Sequence, residues 1–126
     1  GPPETFELLG RTGMEYAKVA GAIIRRDECE RVVALHLPAG TDYRFEAGTE
    51  RSSGRGWMTL HIVRTHDFSS EERETIVSHI ADDLFLTPSR TLAQLVRDNL
   101  FLPLTIIWHT ELPVSRSLKE TRLIIH

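Results

Sequence analysis

The sequence predicts a single α+β domain in which a mostly antiparallel sheet of about five or six strands carries two consecutive helices on one face. Three observations predict this fold class. Segments with the period of strands come first, two segments with the period of helices follow, and further strand-like segments end the chain. A regular alternation of strand and helix, which a parallel sheet requires, is not evident. Helices on one face leave a second face for solvent, a ligand or a partner.

The first part of the chain predicts an arm followed by a hairpin. Residues 1–15 hold a short apolar cluster broken by glycines, and we expect an N-terminal arm or a short helix there. Apolar runs over 19–24 and 32–37 flank the charged sequence RRDECER, as the two strands of a hairpin do. A helix over 14–26 is the alternative, because its apolar residues also share one helical face. Gly21 in the middle of that segment favours the strand.

Two further strands are predicted on either side of a glycine-rich loop. Residues 43–47 and 56–66 alternate apolar and polar side chains, which is the period of a half-buried strand. The connecting stretch AGTERSSGRGW lacks the lysine and the following helix of a phosphate-binding P-loop. We therefore expect a mobile connection beside the second face of the sheet. Within it, Arg51, Arg55 and Trp57 are the predicted contacts for a partner or an anion.

Two consecutive helices are predicted over about 70–85 and 88–100. Ser69 and Glu72 have the spacing of a capping box at the start of the first helix. The second helix begins with a Thr-Pro pair, which is typical of a helix start. In both segments the apolar residues recur at helical spacing, so each helix is expected to bury one side.

Residues 102–112 and 121–126 predict the last two strands. The helix-then-strand order of SRTLAQLVRDNLFLPLTIIWHTE is similar to that in the ligand-binding domains of the chorismate-lyase-like class. The resemblance implies the binding of a small ligand, and no site residue is carried over from it.

Composition limits the classes of protein and partner. The 126 residues are 40% apolar and 26% charged, which is typical of one globular domain over 1–126. The start Gly-Pro-Pro, without Met, indicates a domain taken from a longer protein. A net charge of −3 disfavours nucleic acid as a partner. Cys29 is the only cysteine, so we expect an intracellular location in cytoplasm or nucleus, and the apolar runs are too short for a membrane.

A set of histidines on predicted strands would meet on the second face if their strands were neighbours. The set, with one carboxylate, is His36, His61, His109 and Glu111. Three imidazoles and a carboxylate suit Zn²⁺ with an open coordination position. No two of these residues have the local spacing of a metal motif, so their meeting depends on strand order and register. The alternative is that they are scattered polar residues.

The sequence holds no complete catalytic constellation, and we predict no catalytic residue. In particular, it has no G-x-S-x-G nucleophile elbow. The leading expectation is a non-catalytic module for protein–protein interaction or oligomerisation within a larger intracellular protein. One alternative is a small-molecule-binding domain or a metal-dependent enzyme that uses the histidine-bearing face. A third is the binding of an anion or RNA through the loop at 47–56.

Overall fold

The structure is a computed structural model that describes three ranges of the chain, 16–63, 68–109 and 123–126. The predicted arm over 1–15 lies outside these ranges. The elements in the described residues are, in chain order, β1 (Tyr16–Val19), β2 (Ala22–Arg25), α1 (Arg26–His36), β3 (Asp42–Thr49), β4 (Gly56–Val63), α2 (Ser70–Asp83), α3 (Leu92–Arg97), β5 (Thr105–His109) and β6 (Leu123–Ile125). The described residues thus form a mixed fold of helices and sheets.

The central sheet has four strands in the order β5-β4-β3-β6. Strands β3 and β4 form an antiparallel hairpin, whereas β5 lies parallel to β4 and β6 lies parallel to β3. The prediction of one mostly antiparallel sheet with five or six strands is therefore wrong. The chain passes through α2 and α3 between β4 and β5, and this crossover returns it to the same end of the sheet, which makes the two strands parallel.

The hairpin predicted from the runs 19–24 and 32–37 is wrong: the hairpin in the structure consists of β1 and β2, which form a separate two-stranded antiparallel sheet. Ala20 and Gly21 form its turn, and both have positive φ, as a two-residue hairpin turn of type I′ requires. The strand predicted over 32–37 is wrong, because these residues belong mainly to α1. The helix considered over 14–26 is also wrong, since β1 and β2 occupy most of that segment.

The helix predictions after β4 are confirmed in part. At the start of α2, Ser69 Oγ accepts a hydrogen bond from the Glu72 amide, and the Glu72 carboxylate accepts one from the Ser69 amide. The next helix, α3, is shorter than the predicted 88–100 because Thr91 caps it instead of Thr87. The hydroxyl of Thr87 accepts from two backbone amides after it and forms a turn.

One hydrophobic core lies on the first face of the central sheet. The strand residues that point into it are Tyr43, Phe45 and Ala47 of β3 and Met58, Leu60 and Ile62 of β4. They pack with buried residues of the hairpin and of all three helices. The strict alternation of buried and half-buried positions along β4 leaves the other side chains on the second face. Among the described residues, no helix is long and apolar enough to cross a membrane.

Candidate functional site

The second face of the central sheet consists of the side chains that alternate with the core residues. They are Asp42, Arg44 and Glu46 of β3, Trp57, Thr59, His61 and Val63 of β4, Thr105, Ile107 and His109 of β5, Ile124 of β6, and His126 directly after it. Most of them are half-buried. Two of the histidines predicted to lie on this face, His61 and His109, are there.

His61 lies at the centre of a chain of hydrogen bonds on the second face. Its Nε2 lies 2.5 Å from Oε1 of Glu46, and its Nδ1 lies 3.0 Å from Nε2 of His109. The other carboxylate oxygen of Glu46 lies 2.9 Å from Nε2 of His126. The rings of His61 and His109 lie edge to edge, with centroids 5.3 Å apart and ring planes 29° apart. One carboxylate and three imidazoles therefore connect β5, β4 and β3 with the residue directly after β6.

The carboxylate of Glu46 determines which ring nitrogens carry hydrogen. An ionised carboxylate only accepts hydrogen bonds, so Nε2–H of His61 and Nε2–H of His126 both donate to it. Neutral His61 then has an unprotonated Nδ1, and this nitrogen accepts from Nε2–H of His109. The lone pair on Nδ1 of His61 is thus aimed at the imidazole of His109.

Charge and burial shift two pKa values in this chain of hydrogen bonds. Partial burial acts to raise the pKa of the Glu46 carboxyl, but hydrogen bonds from His126 and His61 outweigh it and hold the pKa below its ordinary value of 4.5. Partial burial lowers the pKa of His109 from its ordinary value of 6.5, and the positive charge of Arg44, with that of His61 when His61 is protonated, lowers it further. At neutral pH, Glu46 is ionised and His109 is neutral.

Trp57 extends these contacts to the end of the sheet next to the 50–55 loop. A Cβ atom added to Gly48, its partner on β3, would lie 2.9 Å from the indole, so the ring covers the bare backbone of that glycine. The imidazole of His126 stacks on the indole, with centroids 5.8 Å apart and ring planes 21° apart. The indole is therefore held in one position by the sheet and by His126.

The loop between β3 and β4 is closed by hydrogen bonds. The backbone amide of Gly54 donates to the carbonyl of Glu50, and the amide of Glu50 donates to the carbonyl of Arg55. The hydroxyl of Ser53 donates to the Glu50 carboxylate. Arg51 is exposed and Arg55 is half-exposed, and neither guanidinium forms an ion pair with the described residues. Both predicted arginines therefore lie on a closed loop before Trp57, Arg55 two residues and Arg51 six residues from it.

His36 does not lie with the other predicted histidines. The strand predicted over 32–37 is a helix, and Nε2 of His36 at the end of α1 lies 2.6 Å from Oδ2 of Asp83 at the end of α2. The ring of His79 lies 5.5 Å from it, centroid to centroid. The fourth predicted ligand, Glu111, lies outside the described residues. The histidine-bearing face therefore lacks His36.

Metal binding by the predicted set is restricted by this placement. In the ranges that the structure describes, no group of three or more His, Cys, Asp or Glu side chains is arranged to hold a metal ion. The two nitrogens of His61 lie on opposite sides of its ring and point at different neighbours. Zinc binding through all four predicted ligands would need His36 on the second face, where it is not. Zinc binding by the others stays a prediction.

Two residues of the site, Glu46 and His126, are absent from the sequence-based predictions. The alternation in YRFEA places Glu46 on the opposite side from Tyr43 and Phe45, so its place on the second face was available from the sequence. Its contact with His61 was not, because that contact depends on the hairpin register. His126 reaches Glu46 only because β6 pairs with β3.

A groove of about 780 Å³ lies apart from the second face, on α2. Its lining includes Glu71, Glu72, Glu74, His36 and His79, and none of the second-face residues contributes to it. Three of its nine lining residues are glutamates and none is Lys or Arg, so its charge is opposite to that of Arg51 and Arg55 on the loop. The two surfaces are therefore separate candidates for binding.

Comparison of the sequence with protein-family models and with curated proteins finds no match. The second face combines an indole held in place, two arginines on the adjoining loop and a carboxylate–imidazole chain. Two facing imidazole nitrogens suit a proton or a metal ion.

Proposed function

We propose that this chain is a protein–protein interaction module that binds an acidic segment of a partner through Trp57, Arg51 and Arg55. The observation that carries the proposal is the fixed indole of Trp57, which adjoins a loop whose two arginines form no ion pair with the described residues. The second face and its loop form the binding surface.

The position of Trp57 supports an anchoring role. Tryptophan and arginine are enriched among the residues that contribute most to interface binding energy. The indole already lies on Gly48 and already stacks on His126, so little side-chain freedom remains to be lost when a partner binds. Gly48 and His126 already cover part of the indole, and a partner has to cover only the part that is still exposed.

The loop supports an acidic partner. A guanidinium binds a carboxylate through two parallel hydrogen bonds, and both Arg51 and Arg55 are accessible for such contacts. The hydrogen bonds of Glu50 hold the loop closed, which limits the ordering that binding requires.

The number of charges favours a short acidic peptide segment over a nucleic acid. Nucleic acids carry a dense, continuous row of phosphates, and proteins neutralise many of them at once with extended basic surfaces. This chain has a net charge of −3, and its basic loop offers two arginines. A few partner carboxylates match two guanidinium groups, whereas a polyanion would meet repulsion from the rest of the molecule.

Calorimetric titration with two synthetic peptides tests the proposal. One is rich in glutamate with interspersed leucine and serine, and the other has glutamine in place of every glutamate. We expect the glutamate peptide to bind and the glutamine peptide not to bind. Arg51→Ala/Arg55→Ala should weaken binding about tenfold or more, which corresponds to about 1.4 kcal/mol. The matched control is Lys18→Ala/Arg25→Ala, which removes two exposed charges from the hairpin and should bind normally.

Three outcomes would overturn the proposal. The first is equal binding of both peptides, and the second is equal loss in the control variant. The third is that a single-stranded RNA with the same charge as the glutamate peptide binds more tightly than the peptide, and that Arg51→Ala/Arg55→Ala loses this RNA binding. That result would assign the loop to nucleic-acid binding. Sedimentation of the free protein completes the test. If the protein is a dimer and Arg51→Ala/Arg55→Ala makes it a monomer, the partner is a second copy of this chain.

A further inference from the structure

A second binding property follows from the facing nitrogens of His61 and His109. In the parallel pairing of β4 and β5, His61 is opposite Ile107, so His109 is one pleat further along the same face. This register brings Nδ1 of His61 and Nε2 of His109 to 3.0 Å. Both nitrogens are metal-ligating atoms, and in the neutral state one hydrogen lies between them.

Glu46 gives this pair the outer partner that metal-binding histidines usually have. A ligating imidazole almost always donates its other N–H to a carboxylate, a backbone carbonyl or water, which fixes the ring and its tautomer. Nε2–H of His61 donates to Glu46, and this leaves Nδ1 of His61 unprotonated and aimed at His109. The carboxylate, in turn, is held by His126 on its other oxygen.

We propose that His61 Nδ1 and His109 Nε2 bind a divalent transition-metal ion such as Zn²⁺, with Glu46 as the residue that orients His61. The site has two ligands from the described residues, and water completes the coordination. It differs from the four-residue set predicted from the sequence, because His36 is elsewhere and Glu46 does not ligate.

The dimensions of the pair fit such an ion. With Zn–N bonds of about 2.0–2.1 Å and tetrahedral geometry, two ligating nitrogens are about 3.3 Å apart. The pair therefore has to separate by a few tenths of an ångström from its present 3.0 Å. Each ring also has to turn by about 35°, because the two lone pairs must converge on the ion instead of lying along the line between the nitrogens. The hydrogen on Nε2 of His109 moves to Nδ1 of the same ring, so a neutral imidazole ligates and no net proton is released.

The charges around the pair both favour and oppose a cation. On β3, Asp42 and Glu46 contribute negative charge on this face, whereas Arg44 contributes positive charge that acts on His109. His126 is hydrogen-bonded to Glu46.

Zinc titration by calorimetry, with Co²⁺ absorption spectra as a second readout, tests the proposal. We expect one Zn²⁺ per chain and visible Co²⁺ bands typical of nitrogen ligands. His61→Ala and His109→Gln should each abolish both signals, and Glu46→Gln should weaken zinc binding 10-fold to 100-fold. Binding should weaken as the pH falls below the ordinary histidine pKa, because protons compete for the same nitrogens. His79→Ala, which removes an exposed imidazole on α2, is the matched control.

The proposal is overturned if zinc binding survives in both His61→Ala and His109→Gln, or if His79→Ala loses it as well. Equal zinc affinity in the Glu46→Gln variant would overturn the role of the carboxylate. The far-ultraviolet circular dichroism of each variant should match the native protein. The zinc titration is carried out without peptide, so its result can be told apart from failure of the peptide titration.

Discussion

The absence of a side chain at Gly48 determines where the indole of Trp57 lies. The two residues are paired across β3 and β4, and the ring occupies the space that a Cβ atom would need. From the sequence, the alternation of GWMTLHIV places Trp57 on the same face as His61. Its contact with Gly48 was not predictable, because it depends on the register of the β3–β4 hairpin. Its stacking on His126 was not predictable either, because it depends on the pairing of β6 with β3.

Gly48→Ala should move Trp57 without unfolding the protein. The added Cβ would meet atoms of the indole at 2.9–3.0 Å, and a long side chain can turn away from such a contact. We expect a loss of stability of about 1 kcal/mol or less, a changed emission of Trp57 in a Trp108→Phe background, and weaker binding of the glutamate peptide. Thr49→Ala, at the exposed next position, is the control. Unchanged emission together with unchanged peptide affinity would show that the indole is not held as described.

Among the elements, α1 shows most clearly why a helix was mistaken for a strand. The run of two valines in RVVALH favours a strand when taken alone. Over a longer window, Cys29, Val32, Val33 and His36 have the i, i+3, i+4, i+7 spacing of a helix, and the first three are buried. The charged residues before them are the start of that helix, with two acids in its first turn, rather than a hairpin loop. The capping box of α2, by contrast, is a local signal and was predicted.

Glu28 ties α1 to the segment after α2, so its removal should destabilise the fold. Its carboxylate pairs with Arg31 and accepts a hydrogen bond from the backbone amide of Phe85. We expect Glu28→Ala to lower the free energy of unfolding by about 1–3 kcal/mol at pH 7, measured in urea. Glu30→Ala removes the more exposed pair with Arg26 and should cost less than about 1 kcal/mol.

The effect of Glu28 should depend on pH in a defined direction. The hydrogen bond from Arg31, joined by that from Phe85, outweighs burial and holds the pKa of Glu28 below its ordinary value of 4.5. A carboxyl whose pKa is lower in the folded state contributes stability above the unfolded value and loses it as the pH falls through the folded value. The difference between the native protein and Glu28→Ala should therefore be constant above about pH 5 and shrink in acid. A difference that grows in acid would contradict this account of Glu28.

At the scale of the whole molecule, one sheet separates a core from the surface that we propose for partner binding. The first face buries the apolar residues of β3 and β4, and the second carries the carboxylate–imidazole chain that reaches from β5 to Trp57. The alternation of apolar and polar residues predicted these two faces. It did not predict the parallel edge strands, because the pairing of β5 and β6 is set by contacts distant in sequence and by the crossover through α2 and α3.

The most direct test of the central claim is a nuclear magnetic resonance titration with the glutamate-rich peptide. The chain has two tryptophans, so its spectrum contains two indole N–H signals, which Trp57→Phe assigns. Trp57 lies on the second face, whereas Trp108 packs against the core and under the guanidinium of Arg73. We predict that the peptide shifts the indole signal of Trp57 and leaves that of Trp108 in place. A peptide that binds and shifts only Trp108, or neither signal, would contradict the assignment of the second face as the partner-binding surface.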